Sequence, residues 1–157
     1  MIPAKPYTWL GLIGWLALTF TASLGGFLVS TDGWYAGLVK PAWNPPDWLF
    51  GPVWTLLYIM MAVAVWRVWL KGGWARQRGP LGLYMVQWFL NALWTPLFFG
   101  LHLLGWAFLE ILVLLCFILW TIGAFRKVDR IAALLLAPYA AWVTFAAVLN
   151  FTIWRLN

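Results

Sequence analysis

Side chains that could do acid–base or nucleophilic chemistry are scarce in this chain, and those that could hold a flat apolar molecule are abundant. Of 157 residues, 15 are tryptophan, 11 phenylalanine and 5 tyrosine, against 4 acids, 1 histidine and 1 cysteine. No serine, cysteine or lysine has an evident base beside it, so covalent or hydrolytic catalysis has no support. His102 has no partners at metal-ligand spacing, and no glycine-rich phosphate loop is present. The aromatics instead recur at helical spacing together with a few amides. Trp54, Tyr58, Met61 and Val65 form one stripe. Gln87, Asn91, Trp94 or Thr95, and Phe98 form a second, and Pro138, Trp142, Phe145 or Ala146, and Leu149 or Asn150 a third. Amides in hydrocarbon need partners, so Gln87, Asn91 and Asn150 should face other helices or a cavity. Read singly, each is an interhelical hydrogen bond worth about 0.6 to 2 kcal/mol. Read with Trp54, Trp94 and Trp142 on the same faces, they favour a pocket for planar hydrophobic ligands.

The elements that would position these residues are membrane helices. The chain is 65% hydrophobic and only 9% charged, where soluble domains carry roughly 25% charge. About 20 apolar residues span a bilayer as a helix, and five stretches qualify: residues 9–29, 48–70, 80–101, 103–125 and 131–154. The expected fold is an all-α membrane protein, a five-transmembrane-helix bundle in one domain covering residues 1–157, with a structured loop over residues 30–47. Alternating β-barrel patterning is absent. The first segment overruns the apolar core of a signal peptide and reads as a span. Lys71–Gly79 reads as a flexible basic turn.

In the stretch Trp34–Tyr58, the dipeptide Lys40-Pro41 and the run Asn44-Pro45-Pro46 make a stiff connector, because proline fixes φ and removes a donor. Asp32 can cap a short helix over Gly33–Val39, with Lys40 at its C-terminal end. That helix would pack over the mouth of the bundle as a lid. Trp9, Trp48, Trp69, Trp74, Trp106 and Trp154 lie near helix ends, where tryptophan anchors in the headgroup region.

Charge placement sets the orientation. Lys5, Arg67, Lys71, Arg76, Arg78, Arg126, Lys127 and Arg130 fall on one side of the expected topology, and Lys40 and Arg155 on the other. Eight against two puts the N-terminus in the cytoplasm. The net charge of +6 is then an orientation and headgroup signal, not a nucleic-acid signal. Glu110 is the one acid inside an expected span, roughly 10 Å deep. It could snorkel, be protonated or relay protons. Pro96 and Pro138 could kink the third and fifth segments or serve packing alone.

Three blocks, Trp34–Tyr58, QWFLNALWTPLFFG at Gln87–Gly100 and PYAAWVTFAAVLN at Pro138–Asn150, resemble the translocator protein family, also called the tryptophan-rich sensory protein or TspO/MBR family. Their order and spacing cover nearly the whole chain. The resemblance implies a five-helix membrane protein, usually a homodimer. It implies binding of porphyrins such as protoporphyrin IX and haem precursors, of sterols, and of benzodiazepine- and isoquinoline-type compounds, with porphyrin a ligand and no resident cofactor or metal. On matching positions, Trp34, Tyr35, Trp43 and Asn44 would belong to the lid. Trp54, Tyr58, Asn91, Trp94, Trp142, Ala146 and Asn150 would line or support the pocket. Some bacterial members are similar to photochemical porphyrin-degrading catalysts, and Trp54 and Trp142 are the candidate electron donors for that chemistry. The sterol-recognition pattern wants a tyrosine where VLNFTIWR (Val148–Arg155) has Phe151, so a tetrapyrrole role in a bacterial cell membrane is preferred to a cholesterol role. Ala133, Ala137 and Ala141 could form a dimer seam or seat their helix in its own bundle.

Two functions therefore stay open at this point: a binding protein that senses, sequesters or moves porphyrins, and a light- and oxygen-dependent enzyme that degrades them. A water-filled channel has little sequence support, because only Glu110 and the three amides could line one. A purely structural membrane subunit is the bland alternative.

Overall fold

A computed structural model describes residues 8–28 and 33–157, the side chains of Phe27 and Leu28 apart. Every regular element among them is helical. In chain order these are α1 (Thr8–Phe20), a 3-10 turn (Thr21–Ser23), α2 (Leu24–Leu28), α3 (Trp34–Gly37), α4 (Asp47–Trp69), α5 (Gly73–Thr95), a π-helical turn (Pro96–Gly100), α6 (Leu104–Val128) and α7 (Arg130–Leu156). Four stretches are long and apolar enough to cross a membrane: Thr8–Gly26, Asp47–Trp69, Leu104–Val128 and Arg130–Leu156. Helix α5 is as long as α4 but more polar, because it carries Arg76, Gln77, Arg78, Gln87 and Asn91.

Three expectations are corrected. Lys71–Gly79 is not a loop: the chain turns at Leu70–Gly72 and is helical from Gly73, with positive φ at Gly72 and Gly73 permitting the reversal. Gln77 leaves helical geometry and separates this short basic turn from the rest of α5. The third segment does not run as one α-helix to residue 101. Pro96 has no amide hydrogen to donate, and the turn widens so that the Leu101 amide bonds the Pro96 carbonyl at 2.9 Å. The lid helix is shorter than Gly33–Val39, since Leu38 is already extended; its proposed cap, Asp32, lies outside the described residues. Pro138, by contrast, leaves α7 continuous.

The helices close into a ring: α1 packs on α4, α4 on α7 and α5, α7 on α6, α6 on α5, and α2 with the 3-10 turn back on α5. Lipid tails offer no hydrophobic gain for helix association, so close packing and hydrogen bonds must hold the ring. At α1 a Cβ on Gly11 would sit 2.5 Å from the Trp69 ring, so the missing side chain lets the indole lie against the α1 backbone. The Trp66 indole donates to the Thr8 carbonyl at 2.8 Å and Trp88 to that of Leu18 at 2.9 Å. Thr19 and Tyr84 share a buried hydroxyl bond of 2.6 Å.

Between α6 and α7, Asp129 caps α7 by accepting from the Ala132 amide at 3.0 Å. Arg67 of α4 donates to both its carboxylate oxygens, at 3.3 and 2.9 Å. Burial pushes this carboxyl up, but the Ala132 amide and the Arg67 guanidinium outweigh burial and hold it below the usual carboxylate range.

Candidate functional site

The lower half of the ring is filled by side chains such as Met61, Val65, Leu81 and Tyr84, all fully buried. The other half holds a chamber of about 770 Å³, within the roughly 300–1,000 Å³ range of small-molecule pockets. Helices α4, α5 and α7 supply most of its wall, the π-helical turn adds Phe98 and Phe99, α6 adds Ile111 and Leu114, and the connection between α3 and α4 covers it.

Helix α4 brings Trp54 and Tyr58 to the chamber, four residues and about one turn apart. Their rings lie 5.4 Å apart. Met61 and Val65 continue that stripe below the chamber as packed core. Helix α5 brings Asn91 and Trp94, and α7 brings Trp142, Ala146 and Asn150. Tyr35 of α3 reaches in from the cover. Eight of the eleven residues singled out from the sequence thus share one enclosure.

Trp34, Trp43 and Asn44 do not line it; they brace residues that do, directly or through one intervening side chain. Trp34 stacks on His102 at 4.0 Å and meets Phe98 edge-on at 5.8 Å. His102 holds its place in a left-handed turn, φ 56°. Trp43 packs on Phe145, which in turn packs on Trp142. Asn44 accepts from the Tyr35 hydroxyl at 3.3 Å, and its own amides bond the Pro41 and Pro45 carbonyls. Burial raises the pKa of the Tyr35 hydroxyl, with Asn44 opposing part of the effect. Lys40 closes the cover by donating to the carbonyls of Tyr35 and Leu38 at 2.7 and 3.1 Å, and Asn157 clamps Val39 through two bonds of 2.9 Å.

The amides are engaged within the protein before any ligand arrives. Asn91 accepts from Tyr58 at 3.0 Å and donates to Tyr139 at 2.8 Å, tying α4, α5 and α7 together. Asn150 accepts from the Trp94 indole at 3.2 Å and donates to the Leu104 carbonyl at 3.0 Å. These bonds fix the rings around the chamber and leave its walls predominantly apolar. Gln87 is also interior, 1% exposed, but away from the chamber, and neither amide atom has a partner among the described residues.

A third stripe that begins at Pro138, which faces outward, leaves out Tyr139. Starting one residue later gives Tyr139, Val143, Ala146 and Asn150 at helical spacing, and the last three line the chamber. Phe99, Phe50, Lys40 and Asp47 also line it; only the π-turn, which sequence does not announce, places Phe99. Glu110 lies elsewhere. It borders a shallow groove of about 440 Å³ with Leu97, Leu103, Trp106, Leu109 and Val113, and its carboxyl oxygens are enclosed without a partner among the described residues.

Such a site has broad aromatic faces and no nucleophile–base pair among its lining residues. Such a lining can hold a flat apolar molecule, with indoles as the electron-rich groups nearest to it. The comparisons with known proteins agree with this architecture. The profile of the TspO/MBR family matches residues 10–155. The translocator protein of Sus scrofa is 42% identical over 95% of this chain and 91% of its own length. The tryptophan-rich protein TspO of Chlorobaculum tepidum is 44% identical over 92% and 89%, and the tryptophan-rich sensory protein of Cereibacter sphaeroides 41% over 90% and 91%. A match of this extent, on a helical chain with four stretches able to cross a membrane and the aromatic blocks in order, means that the protein belongs to the TspO/MBR family.

Proposed function

We propose that the protein binds tetrapyrroles, protoporphyrin IX and related porphyrins, in the chamber between α4, α5 and α7, and acts as a membrane sensor or transporter of them. One observation carries the reading: Trp54, Trp94 and Trp142, from three different helices, line a single apolar enclosure whose amides are already engaged. A planar macrocycle gains from aromatic faces and needs few polar contacts. Relatives called translocator protein and tryptophan-rich sensory protein support a sensing or translocating role in a membrane. In this reading α5 is a fifth span, with Gln87 and Asn91 turned to the bundle, and the N-terminus is cytoplasmic by the basic bias. A bacterial cell membrane, a homodimer and additional binding of sterols and lipids belong to the same proposal.

The test is titration of the purified protein with protoporphyrin IX, read by tryptophan fluorescence. Micromolar quenching is expected, weakened at least tenfold in Trp142→Ala. Unchanged affinity in Trp142→Ala and Trp54→Ala alike refutes the assignment.

A second reading, light- and oxygen-dependent porphyrin degradation, is favoured by the position of Trp54 at the chamber wall with Tyr58 and Tyr139 rings 5.4 and 6.3 Å away. It requires an illumination-dependent product spectrum that is lost in Trp54→Phe while binding is retained. Equal bleaching of free porphyrin in detergent removes it.

A further inference from the structure

The chamber is apolar except at its cover. Among the described residues that line it, only Lys40 and Asp47 are charged. An acidic ligand would be assigned to Lys40 at first sight, but the geometry opposes this. The Lys40 ammonium donates to the carbonyls of Tyr35, Leu38 and Ala36 at 2.7, 3.1 and 3.5 Å and lies 4.7 Å from the centre of the Tyr35 ring. An ammonium has three donors, and three carbonyls face them. Its work is to hold the cover closed.

Asp47 is differently placed. It is exposed, opens α4 in the turn where the helix dipole favours negative charge, and borders the chamber. Among the described residues the single ion pair is Arg67 with Asp129, and no side-chain hydrogen bond engages Asp47. Its field reaches the Tyr35 hydroxyl, whose ionisation it opposes. The Lys40 ammonium is thus engaged by carbonyls, while the Asp47 carboxylate borders the chamber with no side-chain hydrogen-bond partner among the described residues.

We infer that Asp47 sets which end groups the chamber accepts, disfavouring carboxylates and favouring neutral or cationic ends. Within the tetrapyrrole class, this selects neutral-ended over free dicarboxylate macrocycles. The inference rests on the porphyrin reading above. Charges a few ångströms apart at a water-exposed rim interact weakly but measurably, so the discrimination due to Asp47 is roughly fivefold and shrinks as salt is raised.

The experiment titrates the full chain, in nanodiscs of zwitterionic lipid, with protoporphyrin IX and with its dimethyl ester. The quantity read is the ratio of the two affinities, which cancels variant effects common to both ligands. Asp47→Asn is expected to shift that ratio roughly fivefold toward the dicarboxylate, with Asp47→Ser, another helix-starting residue, giving the same shift. Lys40→Met removes a positive charge together with the bonds that hold the cover, and is expected to weaken both ligands, the dicarboxylate by up to about fivefold more. A ratio unmoved in both Asp47 variants overturns the inference. If neither porphyrin quenches the wild type, the porphyrin reading fails and this inference falls with it. If both bind and the ratio stays fixed, only the Asp47 assignment fails.

Discussion

Replacing Asn91 with leucine should loosen three helices at once. The side chain keeps its approximate volume but loses a 3.0 Å bond from Tyr58 and a 2.8 Å bond to Tyr139. Side-chain hydrogen bonds inside membrane bundles average about 0.6 kcal/mol and reach about 1.7, so two give roughly 1 to 3 kcal/mol. Tyr139 is fully buried while Tyr58 borders the chamber. The Tyr139 hydroxyl is thus the one that cannot find another partner, and most of the loss should sit there. The assay is a double-mutant cycle of Asn91→Leu and Tyr139→Phe, read by unfolding in mixed micelles. Each single change should destabilise, and the double variant should lose about 1 kcal/mol less than the sum. Strict additivity would refute the view that the amide bridges α5 to α7.

Two other outcomes follow from the packing. Asp129 has a lowered carboxyl pKa in the folded chain relative to an ordinary value of 3.8, so its ionised form contributes stability above that value, and the contribution is lost as pH falls through the folded value. The unfolding midpoint of the wild type should therefore drop more steeply below about pH 4 than that of Asp129→Asn, with Arg67→Met in between; parallel curves would dismiss the ion pair as a stabilising contact. Gly11→Ala sets a methyl 2.5 Å from the Trp69 ring and should destabilise by about 1–3 kcal/mol, whereas alanine at Gly14, which meets nothing within 4 Å, should be near neutral in the same unfolding assay.

Much of the chamber was legible because hydrocarbon makes polar residues conspicuous. Asn91 and Asn150 stand out in apolar runs, and an amide there has to face inward; Trp54, Trp94 and Trp142 share their faces by helical spacing alone. What sequence could not supply was the offset of a stripe by one residue, which hid Tyr139 behind Pro138. It could not supply the π-helical turn after Thr95 either, since a proline announces a disturbed helix but not its form. The lid residues show a third kind of gap. The family resemblance places Trp34, Tyr35, Trp43 and Asn44 in the cover as a group, and only side-chain directions separate Tyr35, which borders the chamber, from those that brace it. The basic Lys71–Gly79 segment reads as a loop from its glycines, yet its short length and the reversal at Gly72 and Gly73 let it fold as a helical turn.

The central claim is that aromatic rings from α4, α5 and α7 enclose one chamber able to take a flat macrocycle. An experimental structure of the protein with protoporphyrin IX tests it most directly. The macrocycle is expected among Trp54, Trp94 and Trp142, beneath the Lys40–Asp47 connection. A macrocycle seated on the outer face of the bundle, with those three rings packed against one another and no space between them, would contradict it.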